Sequence, residues 1–178
     1  MGKIIISTLL FALGLQVSMP SIAANKVLFY MHGSDMHGKD ESSKNAGNYK
    51  KVVERLKSEG FDVIFEFRAE HNADAQAEQT AQMVKQKIAS GVSPENIFVS
   101  GFSYGSMVSL KVAGLVDNDK VNYALFCGCP ENASINIDID YEVVKGNVLS
   151  IVDDGDTKFG SCEGRLPSVG SFKEKTID

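Results

Sequence analysis

Five short apolar runs alternate with segments of helical period, and this alternation restricts the fold more than any other feature of the chain. Val27-Leu28-Phe29-Tyr30-Met31 is unbroken and β-rich, and it ends at His32-Gly33. A strand with one wet face would alternate polar and apolar residues; an unbroken run suits a strand covered on both faces. Phe61 to Phe67, Ile97-Phe98-Val99-Ser100, Tyr123 to Phe126 and Val148 to Val152 read as further strands. Between the first two, Tyr49, Val52, Val53 and Leu56 recur at i, i+3, i+4 and i+7, a helix stopped by Gly60, with 34–48 as a loop before it. Asp74 is placed to cap a second helix carrying Ala77, Ala81, Val84 and Ile88 on one face, ended by Gly91 with Pro94 beyond. Tyr104 to Val116 is helical in pattern and apolar on most sides, so this third helix should be well buried. Strands alternating with helices of about 10–15 residues predict an α/β fold. The expected form is a mainly parallel, doubly wound sheet of five to six strands with helices on both faces.

The 178 residues, 43% hydrophobic and 23% charged, suit a single globular domain. A net charge of −5 without a basic run argues against nucleic acid, whose phosphates reward clustered cations. Residues 1–24 read as a secretory signal peptide. Lys3 supplies the positive end, Ile4 to Val17 the apolar run, and Pro20-Ser21-Ile22-Ala23-Ala24 the small-residue cleavage region. The run is short of the roughly 20 residues a spanning helix needs. The expectation is an exported protein, periplasmic or secreted, with one domain over 25–178 and no membrane span after cleavage. The stretch 130–146 has no period, and Asn132-Ala133-Ser134 fits a glycosylation acceptor only by a short match.

The chemistry concentrates in Gly101-Phe102-Ser103-Tyr104-Gly105, between a buried strand and a buried helix. A G-x-S-x-G in that context predicts a nucleophile elbow: a sharp turn lifts the Ser103 hydroxyl clear of the sheet, and Gly101 and Gly105 make room for it. The helix that follows sets N–H groups and a positive dipole end beside any developing negative charge. His32-Gly33 ends the first strand, so the Ser34 backbone N–H can join that of Tyr104 as an oxyanion hole. His32 itself reads as a structural residue packed under this loop, and His37 and His71 read as solvated loop residues. Asp156, in Asp153-Asp154-Gly155-Asp156 after the fifth strand, is the candidate acid, with Asp153 as runner-up.

Together these residues resemble the α/β-hydrolase superfamily, and more narrowly a small uncharacterised branch of it. That branch has H-G after the first core strand, a G-x-S-x-G elbow and an L-S-I-x-D-x-x-D…S-C segment. Here these read Met31-His32-Gly33, Gly101 to Gly105, and Leu149-Ser150-Ile151-Val152-Asp153 on to Asp156 and Ser161-Cys162. The resemblance implies a serine hydrolase working on an ester, thioester or amide through an acyl-serine. Ser103 would be the nucleophile and Asp156 the acid, acting on a small-molecule acyl substrate without cofactor or metal. In the family a catalytic histidine follows the acid after one more strand, which Phe172 to Ile177 could begin; the chain carries no histidine beyond His71. The expectation is therefore a chain truncated before its base, or a degenerate member: an inactive relic or a secreted binding domain.

Cysteine use fits the same frame. Cys127, Cys129 and Cys162 leave one thiol over, and Cys127-Gly-Cys129 lacks partners for a closed zinc site. In such a fold the carboxyl ends of the fourth and fifth strands are neighbours, which favours a bridge from Cys129 to Cys162.

Overall fold

A computed structural model describes residues 26–39, 41–68, 70–131 and 137–178. The expected signal peptide and Asn132-Ala133-Ser134 lie outside the described residues. The main elements are β1 (Lys26–Met31), α1 (Lys44–Ser58), β2 (Phe61–Phe65), α2 (Ala73–Ala89), β3 (Ile97–Phe102), α3 (Tyr104–Val116), β4 (Asn122–Phe126), β5 (Cys129–Pro130), β6 (Asn147–Asp153), β7 (Phe159–Gly160) and β8 (Ser171–Ile177). Six strands form one sheet in the order β2-β1-β3-β4-β6-β8, and every pairing in it is parallel. β5 and β7 make a small antiparallel ladder.

This order decides where the helices go. The chain starts at β1, steps outward to β2, then returns past β1 to β3 and runs outward on the other side. Crossovers between parallel strands keep one hand, so reversing direction puts the helices on opposite faces. Tyr30, with Met36, Ala46, Tyr49 and Val53, forms the core under α1, joined by Val63 and Phe65 of β2. Val27, Phe29 and Met31 point the other way, into a larger core with Ala77, Ala81 and Val84 of α2 and Met107, Val108 and Leu110 of α3. α3 is buried on most sides, which its unbroken apolar composition requires.

Three local details depart from the sequence reading. α1 begins at Lys44, inside the stretch expected to be loop, because the Ser43 hydroxyl caps it by accepting from the Ala46 N–H at 3.2 Å. Val52, assigned to its apolar face, is 40% exposed, whereas Tyr49 and Val53 are buried. The cap of α2 is Asn72, whose side chain accepts from the Ala75 N–H at 3.0 Å, and not Asp74. Asp74 instead stands in the first turn, where its charge suits the dipole, and pairs with Lys111 at 2.8 Å.

Cys129 of β5 and Cys162 are bridged, with Cα atoms 5.4 Å apart, and Cys127 is a free, buried thiol. The bridge closes 33 residues of chain around β6. Chain-entropy arguments put such a closure at about 3–4 kcal/mol. Alkylation of the denatured, unreduced protein should modify one thiol only, at Cys127; three modified cysteines in the intact mass would remove the bridge.

Candidate active site

The order of the strands reverses between β1 and β3. In open α/β sheets the crevice outside the carboxyl ends at such a point is where ligands bind. Two segments leave the sheet there: His32-Gly33-Ser34 from β1 and Ser103-Tyr104-Gly105 from β3.

Ser103 sits between β3 and α3 with φ 52° and ψ −115°, a left-handed conformation that a residue with a β-carbon avoids. The turn is this tight because strand and helix nearly touch. A β-carbon on Gly101 would run into the backbone of Gly105, and one on Gly105 into the carbonyls of Met31 and His32. Ser103 N–H donates to the Phe126 carbonyl at 2.8 Å. Ser106, one turn into α3, accepts from the Phe126 N–H at 2.9 Å and donates to the Gly101 carbonyl at 2.5 Å. Tyr104 is the first residue of α3, so its N–H has no intrahelical acceptor.

The loop after β1 is fixed from both sides. Gly33 N–H donates to the Tyr49 hydroxyl at 2.9 Å, and that hydroxyl donates to Asp35 Oδ1 at 2.6 Å. Asn45 holds the other Asp35 oxygen at 3.0 Å. Burial first, and then the bond to Asp35, push the Tyr49 phenol well above its ordinary range, so it stays protonated. Below the loop, His32 is 3% exposed, Nδ1 lies 2.9 Å from the Gly33 carbonyl and Nε2 accepts from the Arg68 N–H at 2.8 Å. That pair of partners fits the neutral ring with its proton on Nδ1. Both nitrogens are engaged, so His32 ties the ends of β1 and β2 together.

Ser103 opens into a pocket of about 590 Å³. Ser34, Tyr104, Met107, Phe159 and His71 also line it, with Asn72, Asp74, Lys111, Ile137, Asp138 and Lys158 completing the wall. Of the two histidines read as solvated loop residues, His71 is exposed as expected, whereas His37 is half-buried. His37 Nδ1 and His71 Nε2 are hydrogen-bonded to each other, and the His37 ring meets the Tyr104 ring edge-on at 4.5 Å. The cause lies in the strand order: β1 and β2 are neighbours, so the loops that follow them meet. Sequence reasoning missed this pair, and also the anchoring by Tyr49.

Asp156 lies in the loop after β6. Its Oδ1 accepts from the N–H groups of Lys158 and Phe159 at 2.8 and 3.2 Å, and its carboxylate faces Cys127, a thiol raised by burial first and then by this charge. Its loop thus delivers Lys158 and Phe159 to the pocket, while among the described residues no histidine bonds to the carboxylate. Asp153 closes its own turn by accepting from Gly155 N–H at 2.9 Å. No cluster of metal-ligating side chains is present among the described residues.

Burial lowers the pKa of His32, and burial followed by the charges of His71 and His32 lowers that of His37 to about 4. The unfolded chain therefore takes up these protons near the ordinary value of about 6.5, before the folded protein does. Stability should fall as pH drops from about 6.5 towards 4. Urea midpoints at pH 7 and pH 5 check this, and a midpoint that holds or rises at pH 5 would contradict it.

The family profile described as Phospholipase/Carboxylesterase matches residues 59–136, which include β3, the elbow and α3. No curated protein matches the chain by sequence. Among solved structures, SOBER1 of Arabidopsis thaliana superposes with a TM-score of 0.56 at 17% identity, covering 86% of this chain and 89% of that one. A phospholipase/carboxylesterase from Dyadobacter fermentans gives 0.54 at 15% identity, covering 88% and 83%. A putative hydrolase of the α/β superfamily from Xanthomonas campestris pv. campestris gives 0.53 at 11%, covering 85% and 88%. With these similarities added to the parallel sheet and the elbow, the chain has an α/β-hydrolase-like fold.

Proposed function

We propose that the protein is a serine hydrolase that cleaves an ester, thioester or amide of a small acyl substrate through an acyl-Ser103 intermediate. The observation that carries this reading is the left-handed backbone of Ser103 at the mouth of the pocket. The turn points the hydroxyl away from the sheet, where a bound carbonyl can reach it. The N–H groups of Tyr104 and Ser34 flank the same space and would hold the oxyanion of the tetrahedral intermediate. α3 adds the positive end of its dipole. The match to the Phospholipase/Carboxylesterase profile across the elbow supports a hydrolase. No cofactor is required for this chemistry. The leader-like residues 1–24 support export to a periplasmic or extracellular site.

A second reading, an inactive relic of the fold, draws on one observation: the Asp156 carboxylate is bonded to backbone N–H groups and has no histidine beside it among the described residues. Labelling with a fluorophosphonate probe separates the two. Wild-type protein should be labelled at a single site and Ser103→Ala not at all; a well-folded sample that stays unlabelled would favour the relic.

The anchored loop gives a finer test. Tyr49→Phe leaves the Gly33 N–H without its acceptor and Asp35 Oδ1 without its donor, and so loosens Ser34. Losing one oxyanion donor outright costs roughly 10²–10³ in kcat, and a displaced donor should cost about tenfold, with KM little changed. Hydrolysis of a p-nitrophenyl ester by the variant at the wild-type kcat would remove Tyr49 from the site.

A further inference from the structure

We infer that His71 is the proton acceptor for Ser103 and that His37 positions it, the two loops after β1 and β2 together supplying the base. This rests on the serine-hydrolase reading above. Three observations carry it. His71 and Ser103 line the same pocket. His37 Nδ1 and His71 Nε2 share a hydrogen bond, which leaves Nδ1 of His71 as the nitrogen outside the pair. Both rings stand against Tyr104, the residue after the nucleophile: His37 lies 4.5 Å from it and His71 5.5 Å, centroid to centroid.

For Nδ1 of His71 to accept a proton, the shared proton must belong to its Nε2, with His37 Nδ1 accepting. His37 must then be neutral. Burial, the largest influence on this ring, holds it so, against the opposing pull of Asp35. As the Ser103 oxygen attacks the acyl carbon, its proton passes to His71 Nδ1 and the carbonyl electron pair moves to oxygen. The imidazolium so formed donates a charge-assisted bond to His37, the part a carboxylate plays in the usual triad. The Asp74 carboxylate, paired with Lys111 at 2.8 Å, lines the same pocket. The leaving group takes the proton from His71 as the bond to the acyl carbon breaks. A water then repeats the cycle: it gives a proton to His71 as its oxygen attacks the acyl carbon, and the departing Ser103 oxygen takes that proton back as its bond to the acyl carbon breaks.

His71 is exposed, so replacing it does not threaten the core. His71→Ala should slow fluorophosphonate labelling of Ser103 by about 100-fold or more, the usual worth of a general base. Added imidazole should restore part of the rate, which a structural defect would not allow. Labelling of His71→Ala at the wild-type rate overturns the proposal and leaves the hydrolase reading standing; wild-type protein that is never labelled overturns both. His37→Phe, with a second ring beside Tyr104, should lower kcat about tenfold or more at unchanged KM. An unchanged kcat in that variant, with its fold verified by circular dichroism, would overturn the positioning role.

Discussion

The site depends on a backbone contact. Gly105 at the start of α3 lies so close to the carbonyls of Met31 and His32 that no β-carbon fits between them, and Gly101 packs against Gly105 in the same way. These approaches hold β1, β3 and α3 together at the point where the strand order reverses. Because the helix is drawn onto the strand ends, its first N–H and the Ser103 hydroxyl arrive beside the Ser34 loop. Ser106 then ties α3 to β3 through the Gly101 carbonyl at 2.5 Å and to the end of β4 through the Phe126 carbonyl and N–H at 2.8 and 2.9 Å. The fold and the candidate chemistry rest on the same few contacts.

A second layer surrounds them. The loop after β1 is held by Tyr49 and Asn45 of α1 through Asp35, and from beneath by His32, which also takes the Arg68 N–H. Arg68 in turn reaches Thr80 of α2 at 3.2 Å. Helices on opposite faces of the sheet are thereby connected through one loop. On the serine-hydrolase reading, substitutions in α1 or α2, well outside the pocket, are therefore expected to affect the Ser34 loop.

The architecture was readable because continuous apolar runs and amphipathic segments differ in period. Gly101 to Gly105 was readable because tight turns need glycine on both sides. The local misses have physical causes. Ser43 is a good cap, but it opens a helix whose first turn, Lys44 to Gly47, carries only the small Ala46 as an apolar side chain, so no apolar rhythm marks the start. Asn72 and Asp74 are both capping types two positions apart, and only the onset of the helical hydrogen bonds chooses between them. The pairing of His37 with His71 crosses 34 residues and follows from β1 and β2 being neighbours, a fact of topology rather than of local sequence. Asp156 lies where a late-strand acid was expected, yet its partners are backbone N–H groups and a thiol that spacing alone does not reveal.

The backbone of Ser103 has one more consequence. A β-carbon held at φ 52° costs on the order of 1–3 kcal/mol, which glycine would not incur at the same place. The hydroxyl is thus kept against the interest of thermal endurance. On the serine-hydrolase reading, robustness and reactivity pull in opposite directions here, and a glycine at this one position would give a sturdier protein with no hydroxyl to attack with.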